Sequence, residues 1–449
     1  MIRRTRIART LSAAVALGVT ATLALTGCGA GQGTAAGDKT LTYWSMWKTG
    51  EPQQVVLAAA IEKFEKKTGI TVDVQWAGRE VIKQVTPRLA AGNPPDLFDQ
   101  GGGPISAAFV ESNGVLGLND VYDSTPDGEK EKIGDVIPEA VSALYKNKDG
   151  EPIIVPYEIT GSTLWYNGLK LPDLKVSTWG EFVAELDALK AKGAAPIAID
   201  GDQAYYEAYW FVYSAIRHGG PEVLNKLAAD KTGAAADDPA ILAAAKDLFP
   251  LLQGGYLPSD FAGTKWPAQQ SAWADGSNGT SFLLMGSWAP SETGTALKQS
   301  GLDVATTIDY RSIPFPAVER GVGNQISWVD AFGFAIPAKA RNAEAAKEFI
   351  RFFTAKEQMQ DIAAKADNLT PRADVEAPGE LADFAVEYKA SAEAGQLVAA
   401  PDGSNVNAQW SSQVLQPTVA DLFNRKFESP EAFVAALKKR TIDTLGAQG

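Results

Sequence analysis

Between residues 41 and 98 the apolar pattern switches repeatedly between two periods, and this alternation leaves few folds open. Leu41 to Ser45 reads as a short strand. Leu57, Ala60, Ile61 and Phe64 then share one helical face, the pair Glu62 and Lys66 lies on the other, and Gly69 is placed as a C-cap. Thr71 to Trp76 alternates with period two, Ile82, Val85 and Leu89 return to helical spacing, and Gly92-Asn93-Pro94-Pro95 stops that helix before a third strand at Asp96 to Phe98. The order β-α-β-α-β predicts an α/β fold with a parallel, helix-covered sheet. After Pro172 the pattern begins again. Thr178 and Glu181 fit a capping box, Phe182, Leu186 and Leu189 give the buried face, and Pro196 to Ile199 gives the next strand. Asn342 to Phe353 is a further amphipathic helix. At 449 residues the chain has room for two or three domains of about 150 residues each.

Composition removes much chemistry. With one Cys and one His, the chain has no internal disulfide, no Cys/His zinc cluster and no Ser-His-Asp or Cys-His machinery beyond what His218 supplies alone. No metal site and no cofactor is expected. A formal net charge of −13 speaks against nucleic acid, whose phosphates need clustered Lys and Arg. His218 itself, beside Gly219 and Gly220, is expected to cap a helix C-terminus.

Four arginines, at 3, 4, 6 and 9, precede an Ala/Leu/Val-rich run from Leu11 to Leu25, and no acidic residue occurs before Asp38. The run is shorter than the roughly 20 residues that span a bilayer, so it reads as the apolar part of a signal peptide over residues 1–27. It ends in Leu25-Thr26-Gly27-Cys28, which resembles the lipobox of bacterial lipoproteins, with Thr26 a less usual residue at its position. That resemblance implies a lipidated Cys28 at the head of a flexible tether over residues 28–40. The body of the protein is then expected on the outer face of a cell membrane, held by its lipid.

Eight segments, in order, carry a wider resemblance. They are Leu41-Thr-Tyr-Trp-Ser-Met-Trp47, Phe64-Glu-Lys-Lys-Thr-Gly69, Ala90-Ala-Gly-Asn-Pro-Pro-Asp-Leu-Phe98, and Ile154-Val-Pro-Tyr-Glu158 with Leu164-Trp-Tyr-Asn167. Ser177-Thr-Trp-Gly-Glu-Phe182, Met285-Gly-Ser-Trp288, Ala345-Ala-Lys-Glu-Phe-Ile350 and Thr370-Pro-Arg372 follow. Together they resemble the extracellular solute-binding proteins of carbohydrate ABC importers, the class that includes maltose-binding protein, from about residue 40 to the C-terminus. The resemblance implies two α/β lobes joined by hinge segments around a central cleft that closes on its ligand. It places lobe one at residues 41–156 and 315–370, lobe two at 157–314 and 371–449, and the crossings near Pro156 to Gly161, near Ile308 to Pro314 and after Leu369. It further implies a monomer that delivers its solute to two permease subunits served by a cytoplasmic ATPase.

A sugar offers an apolar C–H face and a hydroxyl rim, so indoles and polar side chains together are the chemistry to look for. The chain has eleven Trp. By resemblance, Trp288 and Trp410 match stacking positions. Trp328 and Asp330, Ser45 and Trp47 at the end of the first strand, and Gln100 at the end of the third complete one group, since ligands of open parallel sheets gather at the strands' carboxyl ends. Tyr157 and Glu158 at the hinge and Trp210 in the aromatic run Tyr205 to Tyr213 complete the other. For each Trp the competing reading is core packing, which is the one assigned to Trp44, Trp76 and Trp179. Arg372 is either a contact or a salt bridge between lobes.

Other functions fit less of the chain. Ser45-Met-Trp-Lys48 satisfies S-x-x-K and Lys-Thr-Gly occurs at 48, 67 and 231, but no Ser-Asp-Asn is present and one Lys-Thr-Gly overlaps the S-x-x-K itself. A glycoside hydrolase would need paired carboxylates, for which Glu158 and Asp330 are the nominees. The same fold with another polar solute, a glycerol phosphate or a polyamine, is the remaining alternative; a phosphate would call for Arg or Lys in the cleft.

Overall fold

The computed structural model describes residues 40–446. The expected signal segment, Cys28 and the tether up to residue 39 lie outside the described residues. Strand β1 (Thr40–Ser45) turns Leu41, Tyr43 and Ser45 inward, as its alternation requires. The helix Pro52–Thr68 starts with Pro in its first turn and ends at Gly69, whose φ of 71° lets its N–H reach Glu65 O. Strands β2 (Thr71–Trp76) and β3 (Leu97–Gly101) flank β1 in parallel, with the helix Val81–Ala90 between them in sequence.

Beyond these three parallel strands the sheet becomes mixed. Strand β4 (Val155–Asn167) has all of its 13 residues buried and serves both lobes. Up to Gly161 it pairs antiparallel with β8 (Ser327–Ala335), which itself pairs antiparallel with β3. From Ser162 onward it pairs antiparallel with β6 (Phe282–Gly286) and, on its other edge, with β7 (Tyr310–Ile313). The short β5 (Ile197–Ala198) extends the second half beside β6, and β9 (Leu397–Val398) runs parallel to the start of β8. The strand order β2-β1-β3-β8-β4-β6-β5 is therefore a mixed sheet that passes from one lobe into the other along a single strand. The bulge where Pro156 and Glu158 face β8 brings the two backbones so close that a Cβ on Gly333 would lie 2.8 Å from Pro156 Cα.

β4 changes partners between Gly161 and Ser162, at the end of the span Pro156 to Gly161. The segment Ile308 to Pro314 does not cross, because β7 pairs wholly within the lobe-two half of β4; β8 is the strand that returns to lobe one. Leu369 meets Ile159 in an isolated bridge at the third crossing. Arg372, its side chain buried, is clamped by Glu129 and Asp374 and donates to Thr354 O, so it fastens this segment. In lobe two the capping box at Thr178 and Glu181 forms as read. His218 pairs sideways with Asp247 at 2.8 Å, where a helix cap had been expected.

One core residue contradicts its surroundings. The helix Ala204–Gly219 packs through an aromatic and aliphatic face, yet carries Glu207 with no exposed surface and no hydrogen-bond partner for either carboxylate oxygen. Burial, followed by the charges of Asp202 and Asp421, raises its pKa from 4.5 to about 8. Between these two values the folded chain holds a proton that the unfolded chain releases, so stability falls as pH rises. We expect the unfolding free energy to decline from pH 5 to pH 8, with Glu207 contributing up to about 1.4 kcal/mol per pH unit. Urea titrations at these two pH values should show a smaller decline for Glu207→Gln; an equal decline would assign the slope to other groups.

Candidate functional site

Two adjoining cavities of about 420 and 350 Å³ are lined from both lobes and meet at Trp288, Thr160 and Phe332. Trp288 follows β6 as the first residue before the helix Ala289–Gln299. Its indole lies against the backbone of Gly286, where a Cβ would come within 2.2 Å of the ring. Only glycine leaves room for the ring there, and that fixes the indole as the wall shared by both cavities.

In the first cavity the opposite side is built by β8. Trp328 is held edge-on by Tyr209, with ring centroids 4.8 Å apart, and by Tyr205 at 6.2 Å. Asp330 receives hydrogen bonds on Oδ1 from the Tyr145 hydroxyl and the Ala331 N–H, and desolvation moves its pKa up. Asp402, held by Ser404 and Ser411, and Asn405 complete the polar rim.

The second cavity lies toward β1 and the bulge of β4. Trp47 is sandwiched there, with the Arg79 guanidinium 4.4 Å above its ring and Phe332 edge-on at 5.7 Å. Arg79 is itself paired with both oxygens of Glu51. Glu158 is buried; Gln53 donates to its Oε1 at 3.3 Å, Oε2 has no partner within the protein, and burial pushes its pKa up to about 8. Tyr206, Trp266, Glu292 and Asn368 close the wall.

Five of the ten nominated side chains thus come together: Trp47, Glu158, Trp288, Trp328 and Asp330. Three others stand behind them. The Tyr157 hydroxyl donates to Asp99 and accepts from Trp47 Nε1 at 2.7 Å, Ser45 Oγ accepts from the Trp47 N–H, and Gln100 donates to Arg79 O. These residues aim Trp47 and Arg79 without lining a cavity. Asp99, which also accepts from Tyr43 and the Met46 N–H, is driven up to about 6 by its burial against these donors.

Trp210 and Trp410 are corrections. Trp210 is buried between Phe182 and Phe315 in the core of lobe two. Trp410 is fully buried, its Nε1 bonded to Thr441 Oγ1 at 2.9 Å, because Asn407 caps the short helix Ala408–Trp410 and turns the indole inward. The aromatic run does reach the site, through Tyr205, Tyr206 and Tyr209. Residues 205 and 209 are one turn apart on one face of the helix, a spacing legible in the sequence. Tyr145, Trp266, Asn368, Asp402 and Asn405 sit in loops or at element ends whose sequence carries no comparable period.

Among the described residues no group of three or more His, Cys, Asp or Glu could hold a metal ion, and no helix is long and apolar enough to cross a membrane. A larger groove of about 830 Å³ runs between residues 138–144, the third crossing and the helix Ala382–Glu393, and contains none of the nominated ligand residues.

Comparison with known proteins gives a consistent picture. The sequence profile described as bacterial extracellular solute-binding protein matches residues 47–360. The diacetylchitobiose binding protein NgcE of Streptomyces coelicolor is 26% identical over 291 residues, which are 61% of this chain and 57% of that protein. An uncharacterized ABC transporter extracellular-binding protein of Pyrococcus horikoshii is 24% identical over 74% of this chain and 71% of its own length. The crystal structure of the solute receptor AcbH, for which an exclusive preference for β-D-galactopyranose is described, superposes with a TM-score of 0.71 at 18% identity, covering 92% of this chain and 99% of that one. That likeness establishes the two-lobe fold.

The Tyr157–Asp99–Trp47 network is expected to carry measurable stability. Tyr157→Phe removes one donor from a buried carboxylate and the acceptor from an indole N–H, a cost of about 1–3 kcal/mol. Urea unfolding should show it; an unchanged midpoint would mean that Asp99 finds another donor.

Proposed function

The chain belongs to the bacterial extracellular solute-binding proteins, and we propose that its solute is a neutral sugar, most simply an oligosaccharide or glycoside, held between the lobes against Trp288. The observation that carries this reading is the indole of Trp288, packed against Gly286 and lining both cavities, between two rims of carboxylates, amides and hydroxyls. Such a wall covers the C–H face of a pyranose while the rims take up its hydroxyls. The charge of the site favours a neutral ligand. Arg79 is the one basic residue lining either cavity, and it is already paired with Glu51, which leaves no cation for a phosphate.

Lobe closure follows from the same geometry. A ligand touching residues of both lobes binds the closed arrangement better, and by that difference shifts the population toward it. The strands β4 and β8 and the third crossing at Leu369 are the segments about which the lobes would turn. The proposal includes the rest of the importer: lipid attachment through Cys28 after removal of residues 1–27, residence on the outer membrane face, a monomeric receptor, and delivery to two permease subunits with a cytoplasmic ATPase. The N-terminal segment ending at Cys28 supports the lipid anchor, and the Pyrococcus relative's description as an ABC transporter extracellular-binding protein supports the importer.

The reading assigns no turnover. Asp330 lines the first cavity and Glu158 the second, on either side of Phe332, and each carboxyl is occupied or flanked by fixed protein groups. Purified protein should release no reducing sugar from aryl glycosides or oligosaccharides over long incubation. A thermal-shift screen against a carbohydrate panel should raise the melting midpoint with at least one sugar, since ligand bound only by the native state stabilises it. For that sugar, Trp288→Ala should weaken the calorimetric affinity at least about tenfold, the scale of a central aromatic contact. An unchanged affinity in a folded variant would take Trp288 out of the site.

A further inference from the structure

The parallel strands β1, β2 and β3 have two ends, and the cavities use only the carboxyl one: Trp47 beyond β1 lines one cavity, Gly103 and Pro104 beyond β3 the other. At the opposite end the chain enters the fold at Thr40, whose carbonyl accepts from Asn342 Nδ2 at 2.8 Å, with Thr71 of β2 beside it. The helices Pro52–Thr68 and Val81–Ala90 cross back to this end between parallel strands, and their last turns bring Lys66 and Arg88 there. Lys339 and Arg341 join them from the segment after β8. Lys339 Nζ donates to Leu89 O, next to Arg88, and the Arg341 N–H closes on Asp96 Oδ1 at 2.9 Å, just before β3. All four cationic residues are exposed. Among the described residues none of them forms an ion pair; Arg88 lies 6.0 Å from the Trp44 ring instead. The neighbouring carboxylates are taken: Glu65 by the Val72 N–H, Asp96 by Thr42, Arg341 and Asn342, and Glu344 by Lys347. Asp73, exposed and opposite Thr42, is the acid that stands against the patch.

We propose that this end of the first lobe is a membrane-facing surface, on which Lys66, Arg88, Lys339 and Arg341 meet the phosphates of anionic lipids. This rests on the lipid anchor at Cys28 read above and goes beyond it, because it gives the anchored receptor an orientation. Two observations select the occupant. The first is reach. Residues 28–39 separate the lipid from Thr40, and fully extended they span at most roughly 40 Å, so this end of the fold is held near the bilayer. The second is charge. The formal net charge is −13, and removal of residues 1–27 takes away four more arginines, so the chain as a whole is repelled by an anionic bilayer. Attraction must come from cations that touch the surface, because salt screens charges beyond about 8 Å at physiological ionic strength. A lipid chain together with a basic patch is a two-signal combination that holds a protein on a bilayer. Seated in this way, β1 points away from the membrane and its carboxyl end, with Trp47, opens toward arriving solute.

The test is vesicle co-sedimentation of the mature chain carrying Cys28→Ala, so that no attached lipid contributes. The vesicles are phosphatidylcholine alone and phosphatidylcholine mixed with phosphatidylglycerol. At low ionic strength the mixed vesicles are expected to retain at least about fivefold more protein, an excess that vanishes at about 1 M salt. Replacing all four patch residues (Lys66→Gln, Arg88→Gln, Lys339→Gln and Arg341→Gln) should remove most of the excess, and the pair Arg88→Gln and Lys339→Gln about half of it. A control with Lys175→Gln, Lys192→Gln, Lys226→Gln and Lys265→Gln, exposed elsewhere, changes the net charge equally and should keep the excess. Urea midpoints matching the parent show that the variants are folded. The surface is overturned if both kinds of vesicle retain equal amounts, or if the control loses as much as the four-residue patch variant. The anchor stands or falls separately, on the mass of the unaltered chain extracted from cell membranes.

Discussion

Everything in this structure hangs on β4 being one uninterrupted strand with partners in both lobes. A strand buried along 13 residues must have its N–H and C=O groups paired throughout, and β4 meets this by exchanging β8 for β6 and β7 at Gly161 and Ser162. The exchange point is also the floor of the cleft. Glu158 lines the second cavity, Gly161 and Ser162 the first, and Thr160 both. The ladder that joins the lobes and the surface that faces a solute are the same few residues. A change in the angle between the lobes is therefore felt directly at the site.

Behind that floor the structure places acidic groups in unusual surroundings. Asp99 is fully buried with donors on both oxygens, Glu158 is satisfied on one oxygen only, and Glu207 on neither. All three have pKa values displaced upward by burial, and the displacement is least for the one with the most donors. The gradation separates roles. Asp99 organises Tyr43, Tyr157 and Trp47 and is a supporting group, whereas Glu158 keeps an oxygen free on a cavity wall. Of these, only Glu158 lines the cleft, and its carboxyl favours the neutral form up to about pH 8.

Much of the local structure could be read from residues alone, and the reason is spacing. The period-two runs at 41–45 and 71–76, the capping box at Thr178 and Glu181, and the glycine stop at Gly69 each depend on neighbours within one or two turns, and each formed as expected. The first three strands are parallel as the pattern implies, whereas β8 enters the sheet antiparallel from more than 200 residues beyond β3, a partner that no local period reports at that separation. Among the site residues, Trp288 was nominated by resemblance, within the segment Met285-Gly-Ser-Trp288. Trp410 was misplaced for a physical reason: the cap at Asn407 and, above all, a distant acceptor at Thr441 decide which way its indole points, and the second does not lie in the pattern around it.

By itself, then, the order of apolar and polar residues determined an α/β chain, rich in indoles and acids, with too few His and Cys for a Cys/His zinc cluster or Cys-His machinery. Which indoles line the cleft, and which buried acid keeps a free oxygen, was decided only in three dimensions. Side-chain direction at a loop or an element end depends on contacts between residues far apart in the chain: Trp47 with Tyr157, Trp328 with Tyr209, Tyr145 with Asp330. Periodicity carries information along one element, and these contacts run between elements.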